Sequence, residues 1–387
     1  MWSNIIEQEH IKNILRNIHH STKVSHAFIF YGKEGIGKDA TALEFAKLVN
    51  CENALPDGRQ RNDKQEACNI CKSCKQISSL ISPNVKFITA LPTGKSDSDK
   101  SVNPLESLDK DDFETYKKEI EKKAKDHYYN IIIPNANNIR INSIRQIRND
   151  VYLTGETGKK KIFILSRCEQ MNTQSSNALL KILEEPPKDT ILILTTSKLN
   201  SLLPTIIGRC QKIKFDSIST EGIKNYLLQS RSNLTEEQAD FFSKLADGSI
   251  SKAKEILDSY FLELRENVVE LLRAVVSNKT LKLNREIESI TKSRDKEKVK
   301  QALLFMILWF RDVTYKLYGN DKEIINTDKI DNITKFCNRF ESNNYKIITL
   351  IEEAIRDIDK NINLNLLLYN LIYKIKTNIV IKNQKRM

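Results

Sequence analysis

Four cysteines, Cys51, Cys68, Cys71 and Cys74, stand within one polar stretch, CENALPDGRQRNDKQEACNICKSC. Two Cys-x2-Cys steps share Cys71, and Cys51 arrives from an upstream loop. Four thiolates at these spacings can surround zinc tetrahedrally. The short steps place three sulfurs on a tight turn, and the long loop lets the fourth close the shell. Lys64, Lys72 and Lys75 would offset the thiolate charge. An iron–sulfur cluster and plain thiols are the other readings of the same set. Four protein ligands leave no open position for substrate, so a metal here would be structural. Seven cysteines with four clustered fit a metal site in a reducing compartment better than a disulfide framework.

A second set could bind phosphate. Gly32-Lys33-Glu34-Gly35-Ile36-Gly37-Lys38 follows a short apolar run, His26 to Phe30, and precedes a helix-like run, Ala40 to Val49. Strand, glycine loop, lysine and helix is the setting of a P-loop. Gly32, Gly35 and Gly37 let backbone N–H groups turn toward phosphate oxygens, and the helix N-terminus adds partial positive charge. Lys38 would reach the terminal phosphates. Asp39 breaks the pattern, because an active site wants a Ser or Thr hydroxyl there as a magnesium ligand. A second departure agrees with it. The apolar run Ile162 to Leu165 should end in acidic residues that hold magnesium and orient water, yet Ser166 and Arg167 follow. Glu169 and Glu184 are off that register. ATP hydrolysis by this chain is therefore not expected. The loop can be read as a nucleotide site without turnover, or as a fold element only.

A third candidate is Arg209, in Gly208-Arg209-Cys210. Its rigid, permanently charged fork suits bidentate contact with a phosphate. The plainer reading is an internal salt bridge.

The elements that would position these residues follow from the spacing of apolar residues. Ile162 to Leu165 and Ile191 to Leu194 read as buried strands. Between them Ala178, Leu179, Ile182 and Leu183 repeat at helical spacing, until Pro186 and Pro187 stop the helix. This is a βαβ unit of a parallel sheet. Ile5, Ile6, Ile11 and Leu15 suggest a first helix, Pro83 to Ile88 another strand, Ser143 to Val151 a helix, and Lys212 to Phe215 a last strand. The segment from about 92 to 138 is highly charged. It reads as an enlarged, solvated loop with an exposed helix at Phe113 to Lys125. Beyond it, 219 to 257 reads as three short helices. From 258 the pattern is long and helical, at 260–276, 298–317, 329–340, 345–358 and 364–376.

The 387 residues are enough for two or three domains. The net charge of +12 favours nucleic acid or an acidic partner, but it is spread along the chain. The longest apolar run, Ala302 to Phe310, is too short for a bilayer, and Met1 to Glu9 carries no signal pattern. A cytoplasmic protein without membrane contact is expected.

The string NALLKILEEPP, the downstream GRC and the glycine loop resemble the bacterial DNA polymerase III clamp-loader AAA+ proteins, most of all the delta-prime kind, related to gamma/tau. The resemblance is strong over residues 1 to about 255 and rests on length and helical character beyond. It implies an α/β P-loop AAA+ domain with a parallel sheet and a zinc module (1–218, the module at 51–74). A small helical lid (219–257) and an all-α collar (258–387) would follow. It also implies that the four cysteines are the ligands of a zinc-bearing insertion and that Thr196 occupies a sensor position. Ser251 stands where a nucleotide-sensing arginine stands in active relatives. Arg209 would reach ATP and magnesium on a neighbouring subunit as an arginine finger. The implied partners are gamma/tau and delta subunits in a hetero-pentameric ring, with the sliding clamp and primer-template DNA reached through the complex. The chain would then belong to the DNA polymerase III holoenzyme, a nucleotidyltransferase, without an ATPase activity of its own. The other functions weighed are an ATP-hydrolysing gamma/tau-type subunit and a stand-alone AAA+ DNA-binding or repair module. The second lacks a basic platform rich in aromatics.

Overall fold

The computed structural model describes residues 2–21, 24–53, 66–93, 103–152, 159–230, 234–257, 259–277, 279–293, 295–358, 360 and 362–382. They fall into two compact units, one of residues 1–223 with 247–252 and one of 224–246 with 253–387.

The first unit is built on a five-stranded parallel sheet of order β2-β3-β4-β1-β5. The strands are β1 (Ala27–Tyr31), β2 (Val85–Ile88), β3 (Lys161–Leu165), β4 (Thr190–Thr196) and β5 (Gln211–Lys214). Every residue of β4 is buried, as expected of a central strand covered on both faces. The helices are α1 (Glu9–His20), α2 (Lys38–Val49), α3 (Lys72–Ser78), α4 (Lys110–Lys125), α5 (Ile141–Tyr152), α6 (Thr173–Glu184) and the short α7 (Pro204–Ile207). Helix α2 starts abruptly, because Gly37 adopts φ +97° and turns the chain from the loop into the helix within one residue. It is buried on nearly all sides, with Phe45 edge-on to Phe28 of β1. Asn172 caps α6 by accepting the Ser175 N–H. The core combines Ile29, Leu165, Leu179, Leu183, Leu192 and Ile206 with their neighbours. The strands and helices expected from apolar spacing are thus present within a few residues of their expected ends.

The 92–138 segment corrects the sequence reading. Residues 94–102 lie outside the described residues, but the remainder is not a solvated loop. Helix α4 is capped by Asp109, which accepts the Asp112 N–H. Leu105, Leu108, Tyr116 and Ile120 pack with Leu91, Ile131 and Ile133 into a second small core. Lys123 is 2% exposed and Glu119 5%. The lysines that lead into β3 are also engaged. Lys159 pairs with Glu52 at 3.0 Å, and Lys161 Nζ donates to the Asp150 and Val151 carbonyls.

Unit 2 is helical. It holds most of α8 (Thr220–Ser230), then α9 (Glu236–Leu245), the end of α10 (Ile250–Ile256), α11 (Ser259–Ser277), α12 (Thr280–Thr291), α13 (Lys296–Leu317), α14 (Ile330–Arg339), α15 (Asn344–Ile358) and α16 (Leu364–Thr377). Thr235 and Gln238 close a capping box at the start of α9. Helix α12 and the antiparallel pair β6 (Phe340–Ser342) and β7 (Ile379–Ile381) have no counterpart in the sequence reading. Lys382 donates from Nζ to the Cys337 carbonyl at 2.8 Å. Among the described residues no helix is long and apolar enough to cross a membrane.

One clasp ties the end of α2 to the start of β3. Asn50 donates to the Lys160 carbonyl and accepts the Lys160 N–H, both at 2.9 Å, and is 4% exposed. Asn50→Ala leaves a buried donor and acceptor unpaired. It should cost about 2 kcal/mol in urea unfolding of the full chain. A change below about 0.5 kcal/mol, the ordinary surface range, would show that the clasp carries no such role.

Candidate functional site

The four clustered cysteines meet as the spacing requires. Cys51 follows Asn50, Cys68 and Cys71 lie on the turn that enters α3, and Cys74 is in its first turn. Their sulfurs all lie within 4.8 Å of one another. Zinc–thiolate bonds of about 2.3 Å in a tetrahedron place sulfurs about 3.8 Å apart, and Cys68 Sγ and Cys74 Sγ are 4.0 Å apart. The N–H groups of Cys68, Cys71 and Cys74 each donate to a cluster sulfur at 3.4 Å. The Cys74 thiol beside it pulls Cys51 down to about 4, and the same contact pushes Cys74 up. The donor set fits a metal ion held by four sulfurs. Of the lysines expected beside it, Lys72 and Lys75 are in α3, and Lys64 lies outside the described residues.

The glycine loop has the expected form, between β1 and α2 at the carboxyl ends of the strands. Its contents differ from those of a phosphate site. Lys38 is 9% exposed, and its Nζ donates to the Gly32 carbonyl at 2.8 Å and to that of Lys33, so it is folded back on its own loop. Asp39 lies among donors. Thr195 Oγ1 donates to Oδ1 at 2.7 Å, Ser166 Oγ donates to Oδ2 at 2.7 Å, and Lys123 Nζ is 3.2 Å from Oδ2. Burial alone would raise the Asp39 carboxyl. The Lys123 ammonium and the two hydroxyls more than reverse this and hold it below the usual carboxylate range. The ring of Tyr128 lies against Gly37, where an added Cβ would come within 2.9 Å of it. The Tyr128 hydroxyl accepts the Ile6 N–H at 3.0 Å, and its carbonyl accepts from Ser251 Oγ at 2.5 Å. Gly35 accepts the N–H groups of Ile250 and Ser251 at 2.9 and 3.3 Å.

Beside the loop a cavity of about 40 Å³ remains, lined by Lys38, Asp39, Lys123, Tyr128 and Glu169 among others. That volume admits ordered water. With Lys38 folded back on its own loop, Lys123 on Asp39 and the Tyr128 ring over Gly37, the residues as placed do not fit a bound nucleotide with its metal.

Sequence reasoning placed Gly32, Gly35, Gly37, Lys38 and Asp39 together, as they are. It missed Lys123, Tyr128 and Thr195. Thr196, the expected sensor, accepts the Lys198 N–H at 3.0 Å, while its neighbour Thr195 reaches Asp39. Successive strand side chains point to opposite faces, so only one of the pair could do so. An acid in place of a hydroxyl at the start of an otherwise buried helix was itself the signal that a cation must lie nearby.

Arg209 stands apart from this cluster, after α7. Its Nη2 pairs with Glu184 at the end of α6 at 2.9 Å, and Nη1 donates to the Thr205 carbonyl at 3.0 Å. The guanidinium is 39% exposed and Glu184 49%. An exposed pair of this kind is worth about 0–1 kcal/mol, so it positions the arginine without tying it down.

The family model described as DNA polymerase III, delta subunit, matches residues 7–219, which include the loop, the cysteines and Arg209. The chain is 25% identical over 377 residues to DNA polymerase III subunit delta' of Bacillus subtilis (strain 168), covering 96% of this chain and 97% of that protein. It is 30% identical over 261 residues to subunit tau of the same organism, covering 66% of this chain and 37% of tau, so it spans about a third of tau. A gamma subunit-related protein from Thermotoga maritima aligns over 96% of this chain and 99% of its own at 16% identity, with a TM-score of 0.44. This chain belongs to the DNA polymerase III clamp-loader AAA+ family and is a delta-prime-like member of it.

Proposed function

We propose that this chain is the delta-prime-like subunit of a DNA polymerase III clamp loader, in a hetero-pentameric ring with gamma/tau and delta-type subunits that places a sliding clamp on primed DNA. The observation that carries the reading is likeness to delta' over nearly the whole of both chains, joined to a loop whose metal-ligand position holds Asp39. In this reading residues 219–257 form a lid and 258–387 a collar that joins the ring, and the protein works in the cytoplasm. The chain hydrolyses no ATP. It supplies Arg209 to ATP and magnesium on a neighbour, exchanging Glu184 for phosphate oxygens. A gamma/tau-type motor is disfavoured by Asp39 and Ser166. Thr196 then has a local role, holding the turn after β4.

Arg209→Ala should lower the clamp- and DNA-stimulated ATPase of a complex reconstituted with its motor subunits. The loss at the site it serves should be about 10³-fold, the lower end for arginine fingers. Lys38→Ala should leave turnover unchanged. Loss on Lys38→Ala instead would move the chain to the motor class.

A structural zinc at Cys51, Cys68, Cys71 and Cys74 would close the turn into α3. The purified chain should carry one zinc by mass spectrometry. Cys71→Ser should lose it and cost about 4 kcal/mol or more in unfolding. A metal-free chain of unchanged stability would leave plain thiols. Iron in place of zinc would point to a cluster.

For contact with DNA the candidate is a groove of about 280 Å³ between α5 and α6, whose largely apolar wall of Ile141, Ile144 and Ile182 is edged by Arg145, Arg148 and Lys181. The three cations at its edge could meet phosphate oxygens. Replacing the three cations by alanine should flatten the salt dependence of DNA binding by the complex, by about 0.9 per lost phosphate contact. An unchanged slope would remove this groove from the DNA path.

A further inference from the structure

Helix α4 and the turn after it, residues 110–130, have no role in the reading so far. They supply the two groups that fill the phosphate loop. Lys123 is almost fully buried and lies between Asp39 and the Tyr129 carbonyl, to which its Nζ donates at 2.8 Å. Its ring neighbour is Phe87 of β2, 5.5 Å from Nζ. A lysine so enclosed is fixed, because its charge is answered by the Asp39 carboxylate in direct contact, with Asp126 adding a weaker pull. It sits beside Ser166 and Thr195, at the acceptor face of Asp39 where a magnesium ion on a P-loop hydroxyl would stand. Tyr128 covers Gly37, and the backbone turn between them is held from several sides. Tyr129 Oη donates to Glu119 Oε2 at 2.8 Å, the Ile132 N–H donates to the same oxygen at 2.9 Å, and Ser251 anchors the Tyr128 carbonyl. His127 Nε2 lies 3.1 Å from the Ser78 carbonyl at the end of α3.

We infer that residues 110–130 are a built-in occupant of the nucleotide site, with the Lys123 ammonium in place of the metal on Asp39 and the Tyr128 ring in place of the phosphates over Gly37. The charged insertion thus holds the loop in one filled state, and ATP neither enters nor reorganises it. The consequence for the ring rests on the proposed clamp-loader role, but the filling of the site does not.

The test uses the full chain and a fluorescent methylanthraniloyl-ATP with magnesium. The unmodified protein should show no saturable binding up to about 1 mM. Asp39→Thr/Lys123→Met removes both charges and keeps the volume, and it should still not bind. Asp39→Thr/Lys123→Ala/Tyr128→Ala opens the loop and should bind at least about tenfold more tightly, a gain of about 1.4 kcal/mol. Binding by the unmodified chain, equal binding by both variants, or none by a triple variant shown to be folded by circular dichroism would each overturn the inference. Hydrogen exchange on the unmodified chain needs no variant. Residues 110–130 and the phosphate loop should exchange alike with and without magnesium-ATP, and deprotection of α4 or protection of the loop would overturn it. Failure of the clamp-loader reading would appear only in the Arg209→Ala assay, with these results unmoved.

Discussion

A carboxylate mostly withdrawn from water, where the carboxyl ends of β3 and β4 meet the start of α2, has to be answered by charge or hydrogen bonds, and Asp39, 18% exposed, is answered by both. Two hydroxyls and one ammonium converge on its oxygens. Removing the ammonium alone would strand a buried charge, a loss of about 3–5 kcal/mol. That constraint reaches outward. Lys123 must be held in place, so α4 must be a formed, capped helix. The chain leaving α4 must then pass over the loop, which brings Tyr128 onto Gly37 and its carbonyl to Ser251. An exchange of one hydroxyl for one carboxylate in the loop is thereby coupled to the packing of a segment more than eighty residues away.

The pair also explains which parts of the molecule were legible beforehand. The sheet was, because β1, β3 and β4 are continuous apolar runs that have no other stable use. So was the cysteine set, whose spacing is a property of the local chain. Helix α4 was legible as a helix but not as a buried one. Its sequence, KDDFETYKKEIEKKAK, gives no hint that one lysine among six is enclosed, since the reason lies in a partner distant in sequence. Helix α12 was missed because Leu281, Leu283, Ile287 and Ile290 are diluted by charged residues, and its burial rests on α11, α13 and α16. Thr196 was the expected sensor, yet the pleat of β4 turns its neighbour Thr195 toward Asp39.

Arg209 and the loop show opposite kinds of site. The loop is internally satisfied, with Lys38 bonded to its own carbonyls. Arg209 is half-exposed and tied by one surface ion pair. A group meant to act inside its own chain is usually buried and over-determined, whereas one meant to act on another molecule must be cheap to release. By that measure the arginine is the outward-facing part of this domain and the loop its inward-facing part.

A ligand shifts a conformational equilibrium only through its differential affinity for the two states. If the filled loop excludes ATP, nucleotide has no purchase on this chain, and in the proposed ring it would not be switched by ATP turnover on other subunits. Movement in a ring containing it must then arise in the other subunits and be transmitted through their contacts with a member of constant shape. Constancy is useful in such a place. An arginine that serves a neighbour's ATP gives a consistent geometry only if the domain carrying it does not itself change with nucleotide. On the proposed reading, the buried lysine on Asp39 and the half-exposed arginine after α7 would be two parts of one arrangement, the first removing a degree of freedom that would make the second unreliable.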